Sequence, residues 1–248
     1  MATLFGLVWG SFLNVVIHRL PLGLSLVSPR SRCPACERPV AAYDNVPLLS
    51  YLFLGGRCRH CKTSISIRYP VIEALVGAAS LFAFVRHGAS LLAAAELAFV
   101  AAMVALIFID FDHQILPNSI TLPGAAVGLA LSGPRPDISF VEAVLGAFLG
   151  AALLFLVAEV YFRLRKVEGL GMGDVKMMAM VGAYLGWKGV LLTLFLGSLS
   201  GSLVGLMVMA QRSGDLKTKL PFGTFLGIGA ITTVYFGDLL MNWYSGLF

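Results

Sequence analysis

The chain is divided into long apolar runs, each near the length a helix needs to cross a bilayer and parted from the next by a short polar break. At about 20 residues per crossing, these runs predict roughly eight transmembrane helices. They lie near 1–17, 70–86, 89–110, 119–133, 139–162, 175–189, 190–210 and 222–240. Apolar residues make up 58% of the 248 and charged residues 12%, with mean hydropathy +0.87. A soluble globular domain is less apolar and carries about twice that charged fraction. The expected fold class is an all-α polytopic membrane protein. The first run opens at Met1 with no basic segment ahead of it and no small-residue cleavage site, so it reads as a span and not as a removed signal peptide.

The net charge of +5 does not point to nucleic acid, because no basic stripe is interleaved with groove- or base-reading elements. It reads instead as a positive-inside bias. If the segment after the first span is cytoplasmic, that side holds Arg19, Arg30, Arg32, Arg38, Arg57, Arg59, Lys62, Arg68, Arg163, Arg165, Lys166, Lys176, Arg212, Lys217 and Lys219. The other side holds only Arg86, Arg135 and Lys188, so the division is fifteen against three. With eight spans this puts both termini outside the cytoplasm. The basic cluster Arg163-Leu164-Arg165-Lys166 would suit anionic lipid headgroups.

The one long extramembrane segment, 18–69, holds all four cysteines as Cys33-Pro34-Ala35-Cys36 and Cys58-Arg59-His60-Cys61. Two such knuckles about 20 residues apart are the spacing of a four-thiolate zinc ribbon. A pair of disulfides is the other reading, but the orientation places the loop in a reducing compartment where disulfides rarely persist. The expectation is a small cytoplasmic domain on a structural Zn2+, with His60 as a solvated neighbour. Three domains follow: the first span at 1–17, the zinc-binding domain at 18–69 and a transmembrane domain at 70–248. Tyr43, Pro47, Leu48, Leu49, Tyr51 and Phe53 would pack on the ribbon or lie on the bilayer surface.

Acidic residues interrupt the apolar pattern at Ile109-Asp110-Phe111-Asp112-His113 and at Gly169-Leu170-Gly171-Met172-Gly173-Asp174. A carboxylate at a membrane span is costly and is therefore a functional-site candidate. The charge count puts Asp110 at the cytoplasmic end of the third span and Asp174 at the cytoplasmic start of the sixth, at one level. Two carboxyls at hydrogen-bonding separation can share one proton; one then activates water while the other polarises a carbonyl, as in an aspartic protease. The other reading leaves the carboxylates in interfacial water or paired with Lys176 or His113. Asp112 lies about 200° round a helix from Asp110, so both cannot face one partner while the helix continues. Asp112 is expected in a loop or helix cap. The glycines before Asp174 also resemble a cofactor-binding turn, but that turn needs a strand before it and a helix after it. Here Gly171 and Gly173 are expected to make room for an extended substrate, with Asp112 and Lys176 nearby. Only thirteen residues separate Asp174 from Lys188, too few to cross a core of about 30 Å. The sixth span is therefore expected to start below the membrane surface.

Taken together, Gly10-Ser11-Phe12-Leu13-Asn14-Val15-Val16-Ile17-His18-Arg19-Leu20-Pro21, the two cysteine knuckles, Asn45-Val46-Pro47-Leu48-Leu49-Ser50-Tyr51 and Ile67-Arg68-Tyr69-Pro70 resemble the amino-terminal half of the bacterial type IV prepilin peptidases. Ile109-Asp110-Phe111-Asp112-His113 with Leu116-Pro117, and Gly171-Met172-Gly173-Asp174-Val175-Lys176, resemble their peptidase half. The resemblance implies a bifunctional inner-membrane enzyme with a cytoplasmic active site. It would cut the basic leader from prepilins or secretion pseudopilins after a glycine, and methylate the new amino terminus with S-adenosylmethionine. It implies Asp110 and Asp174 as the catalytic pair and attaches methyl transfer to the ribbon and residues 43–73, without naming cofactor-binding residues. Glu73 is expected to be solvated or snorkelling; Glu96, Glu142 and Glu159 are given no role. The competing classes are an ion- or proton-coupled transporter with a regulatory zinc ribbon, which would place its acids near midspan, and a non-enzymatic assembly scaffold.

Overall fold

The structure, a computed structural model, describes residues 1–135, 137–167, 169–211 and 220–246. Its helices are α1 (Ala2–Arg19), α2 (Leu49–Phe53), α3 (Arg68–His87), α4 (Leu91–His113), α5 (Asn118–Leu131), α6 (Phe140–Arg165), α7 (Met172–Gln211) and α8 (Phe222–Ser245), with a 3-10 turn at Ala42–Asn45. Among the described residues, extended pairing is confined to two isolated bridges. Helices α3, α4, α6, α7 and α8 are long and apolar enough to cross a membrane, and α5 is a shorter apolar helix. Arg212, Lys217 and Lys219 of the charge count, together with Pro136 and Glu168, lie outside the described residues.

The chain forms two compact units, Met1–Ala105 and Leu106–Phe248. The division falls inside α4, and α3 packs with α1 in the amino-terminal unit. That pairing is antiparallel. Gly6 meets Val76 and Ser80, Gly10 meets Glu73, and the Asn14 side-chain amide donates to the Tyr69 carbonyl at 3.2 Å. A Cβ on Gly10 would stand 2.8 Å from the Glu73 Cα, so small residues set how closely the two helices approach.

In the second unit α7 is the organising element, and it is not one straight helix. At Gly186 the backbone takes φ 69° and ψ −177°, a region essentially reserved for glycine. Asp174 lies by Gly223 and Met177 by Gly227, so the first arm runs in the direction of α8. Gly197 lies by Leu226 and the Thr193 hydroxyl bonds that of Thr233, so the second arm runs against α8. The chain therefore doubles back at Gly186, and the two apolar runs at 175–189 and 190–210 become the arms of a hairpin. From Met172 to the break the first arm is about 21 Å long, as short as the Asp174–Lys188 interval predicts. It packs against α6, where Gly182 meets Gly146, and against α5, where Gly128 meets Ala183.

Candidate active site

Asp110 stands one turn before the end of α4, which stops after His113 when Gln114 takes a positive φ of 53°. Asp174 lies in the first turn of α7, just after Gly171-Met172-Gly173. Both are buried, at 5% and 8% exposure. The residue that relates them is Gly223, at the start of α8. A Cβ on Gly223 would lie 3.0 Å from Asp110 Oδ2, 3.0 Å from Asp174 Oδ1 and 2.9 Å from Leu116 Cδ1. Two sides of 3.0 Å meeting at one point leave those carboxylate oxygens no more than about 6 Å apart. Two acids 64 positions apart in the chain thus face a common point.

Thr224, next along, holds one of them. Its backbone N–H donates to Asp110 Oδ2 at 2.7 Å, and its hydroxyl lies 3.1 Å from the same oxygen and 3.2 Å from the Ile107 carbonyl. With Pro221 as N-cap, Thr224 is the third helical residue of α8, so its N–H has no acceptor within its own helix. Asp110 supplies that acceptor from another helix. The amino-terminal ends of α7 and α8 both meet the carboxylate pair, and helix amino termini favour negative charge.

The other expected site residues fall as follows. Asp112 is exposed and lies within α4, not in a loop or cap, because the helix continues through His113. It is therefore turned away from the side that carries Asp110. The Lys176 ammonium donates to Asn118 Oδ1 at 2.9 Å, linking α7 to the start of α5. Gly173 leaves space that Leu116 fills, since a Cβ there would meet the Leu116 Cβ at 2.9 Å. A Cβ on Gly171 would stand in ordinary contact with Asp174 Oδ2, at 3.5 Å, and the Gly171 carbonyl accepts from the Asp174 N–H at 3.1 Å. Both acids sit at helix ends and not at midspan, contrary to the transporter reading. Sequence reasoning missed Gly223 and Thr224; the available signal was Pro221-Phe222 opening a helix just after the basic stretch that ends at Lys219.

The two cysteine knuckles share one backbone pattern. Cys33 N–H bonds the Arg38 carbonyl and Cys58 N–H the Thr63 carbonyl, while Glu37 and Lys62, each four residues past the first cysteine, both have positive φ. This brings Cys33, Cys36, Cys58 and Cys61 together with their sulfurs all within 4.8 Å of one another. The Cys33 and Cys61 sulfurs are 3.7 Å apart, close to the edge of about 3.8 Å expected for a tetrahedron of thiolates around a metal at 2.3 Å. The donor set fits a metal ion. The Thr63 hydroxyl, bonded to Cys61 Sγ at 3.3 Å, helps hold the Cys61 thiol down to about 6. Backbone N–H groups of Cys36 and Ala35 hold Cys33 below its usual value. His60 stays outside the sulfur cluster, with the Arg38 guanidinium 3.3 Å from its Nδ1. Arg59 forms a two-pronged bond to Asp44 at 2.6 and 2.8 Å, and the Tyr51 hydroxyl donates to the Ile65 carbonyl at 3.3 Å. Tyr51 thus packs on the ribbon, while Tyr43 and Phe53 are exposed.

Glu73 is neither solvated nor snorkelling. It is buried, and its Oε2 accepts the Leu48 N–H at 2.8 Å. This fixes the turn where Leu48 holds a φ of 59°.

Residues 4–87 match the family model for the bacterial peptidase A24 N-terminal domain, and residues 97–206 match that for the type IV leader peptidase family. A prepilin leader peptidase/N-methyltransferase of Burkholderia pseudomallei is 38% identical, covering 95% of this chain and 84% of that one. The enzyme of that name from Pseudomonas putida is 37% identical over 96% of this chain and 90% of its own. That from Myxococcus xanthus is 43% identical over 86% and 64%. No solved structure matches. Paired aspartates at two helix ends, a four-cysteine cluster between α1 and α3, and relatives spanning nearly its whole length lead to one conclusion: the chain belongs to the type IV leader peptidase family.

Proposed function

We propose that this protein is a membrane aspartic endopeptidase that removes the basic leader from type IV prepilins or secretion pseudopilins at the cytoplasmic face, and then methylates the new amino terminus. The observation that carries the peptidase reading is the common 3.0 Å approach of Asp110 Oδ2 and Asp174 Oδ1 to the point in front of Gly223. Asp110, held as an acceptor by Thr224, is suited to take a proton from water. Asp174 is suited to carry the shared proton to the scissile carbonyl oxygen. The water oxygen bonds the carbonyl carbon, the C–N bond breaks, and a proton passes to the departing amine. The positive-inside bias supports a cytoplasmic site and, with the eight spans read from the apolar runs, both termini outside.

In this reading the four cysteines hold a structural Zn2+, with all four coordination positions filled by thiolates and none left for chemistry. The methyl donor is S-adenosylmethionine, which supplies a methyl group to the new amine. The ribbon and residues 43–73 are the region this reading assigns to that step; relatives named prepilin leader peptidase/N-methyltransferase align with 95% of this chain. Gly171 and Lys176 border the substrate path, and Asp112 faces the water at its mouth.

The test is cleavage of a prepilin by purified enzyme, comparing wild type with Asp110→Asn, Asp112→Asn and Asp174→Asn. Asparagine keeps size and polarity and removes the titrating group. The first and third variants should be inactive while the second cuts. Activity in Asp110→Asn or Asp174→Asn would end the peptidase assignment.

A further inference from the structure

The amino-terminal unit carries an apolar face that neither the sulfur cluster nor the carboxylate chemistry uses, on the short helix α2. Leu49, Leu52 and Phe53 are spaced by three and four positions and so share one side of that helix. All three are exposed, Leu52 at 72% and Phe53 at 87%. The polar residues between them turn the other way. The Ser50 hydroxyl donates to the Tyr43 carbonyl at 2.9 Å and accepts the Val46 N–H at 3.1 Å, while the Tyr51 hydroxyl donates to the Ile65 carbonyl at 3.3 Å. A helix on a water-facing surface is arranged in reverse, with its apolar stripe toward the core and its polar side out. Helix α2 is thus built inside out, and its outward side suits an apolar medium.

The Glu73 bond identifies that medium. Leu48, the N-cap of α2, donates its N–H to Glu73 Oε2 at 2.8 Å. Glu73 lies about 8 Å along α3 from the start of that helix at Arg68, and α3 is long and apolar enough to cross a membrane. The bond therefore sets the start of α2 at a level within the apolar length of α3. Val71 and Leu75, which bracket Glu73 along α3, are exposed apolar residues, so the helix presents a lipid-facing surface at that same level. A helix lying in the bilayer interface sinks its apolar face about 5–10 Å into the headgroup and acyl boundary, which matches the depth of the Glu73 tie. The rim of the face is suited to headgroups: Tyr43 is held by Ser50, and the Arg59 guanidinium lies 5.3 Å over the Tyr43 ring. Tyrosine favours the membrane interface, and basic side chains favour anionic headgroups. We propose that the Leu49, Leu52 and Phe53 face of α2 is seated in the lipid of the membrane that α3 crosses, giving the cysteine ribbon a lipid contact of its own besides its two flanking helices. This inference goes beyond the peptidase reading and does not depend on it.

The experiment uses purified full-length protein in nanodiscs of phosphatidylcholine and phosphatidylglycerol. A dansyl amino acid is placed at position 52, at position 53, or at position 35, where Ala35 is exposed in the first cysteine knuckle. The probe is apolar wherever it stands, so position 35 reports what the probe does by itself. The replaced side chains are exposed, and a thermal midpoint matching wild type confirms that each labelled protein is folded. Lipids carrying a nitroxide near the headgroup end of the acyl chain should quench the probe at 52 and 53 several-fold more than at 35, with emission shifted to shorter wavelength. Acrylamide in the water should rank the positions in the opposite order. A photoreactive benzophenone side chain at position 53 should form adducts with lipid. Equal quenching at all three positions would overturn the proposal, as would benzophenone adducts formed with a prepilin or with a second copy of the protein and not with lipid.

Discussion

Replacing Gly223 by alanine puts a methyl carbon where the two carboxylates converge. The added Cβ would stand 3.0 Å from Asp110 Oδ2 and Asp174 Oδ1 and 2.9 Å from Leu116 Cδ1. Ordinary contact begins near 3.4 Å, so each neighbour must retreat by about 0.4 Å. Leu116 can turn its side-chain end. Asp110 has less freedom, because its Oδ2 is bonded to the backbone N–H of Thr224, the residue next to the substitution. The methyl also occupies space that water or the scissile carbonyl needs. Displacements approaching 1 Å in a reacting constellation can cost about 100-fold in rate, equivalent to about 2.7 kcal/mol of transition-state stabilisation. Folding should change little, since helix propensity favours alanine over glycine by up to about 1 kcal/mol. Prepilin cleavage by Gly223→Ala should therefore fall by up to about 100-fold, with a thermal midpoint in detergent close to wild type. Methylation of a pre-cut pilin, assigned to the other unit, should persist. Cleavage within a few-fold of wild type, with the protein folded, would refute the convergence of the two acids on Gly223.

Three further outcomes follow from the geometry. Thr224→Val keeps the N–H but removes the hydroxyl beside Asp110 Oδ2; a lost bond to a charged group is worth about 1.5–3 kcal/mol, so kcat should drop about tenfold or more, and a Thr224→Ser variant that fails to restore it would argue against the hydroxyl. Gly186→Ala forces a Cβ into a backbone region at φ 69° and ψ −177° and should cost about 1–3 kcal/mol, read as a lower unfolding midpoint; an unchanged midpoint would mean that α7 does not turn there. Cys61, with its thiol held down to about 6, should be thiolate at neutral pH in metal-stripped protein, so its alkylation should slow only as pH falls through about 6, while Cys58→Ser should abolish tight zinc binding; a Cys61 that reacts only above pH 8 would contradict the Thr63 bond.

The buried aspartate pair was legible because charge in an apolar run is rare and therefore conspicuous, and the four-cysteine cluster because thiol spacing is short-range information. The hairpin of α7 was legible as two apolar runs even without a proline at the turn, since Gly186-Trp187-Lys188 breaks the hydropathy. Gly223 and Thr224 were not, because neither titrates and Pro221-Phe222-Gly223-Thr224 reads as an ordinary helix start. Their importance lies in contacts made up to 114 positions away, and no local pattern encodes such a distance. The packing of α3 on α1 was hidden for the same reason, and with it the division at Ala105. Glu73 misled in a different way: its isolated charge suggested exposure, whereas its partner is a main-chain N–H that any residue at position 48 other than proline would supply.

The bond from Thr224 to Asp110 ties the order of synthesis to the onset of activity. Both aspartates leave the ribosome well before α8, and a nascent chain that ends ahead of Phe222 already carries them. It lacks the N–H that fixes Asp110 and the glycine surface against which the two acids meet. The aspartate pair is thus finished by α8, and chains inserted only as far as α7 hold an unassembled site beside the other proteins of the membrane. Asp110 gains from the same event, since the carboxylate that completes the first turn of α8 is oriented by it. A substitution that preserves an acceptor, such as Asp110→Asn, should leave this assembly step intact, whereas Asp110→Ala should loosen the start of α8 as well as silence the enzyme.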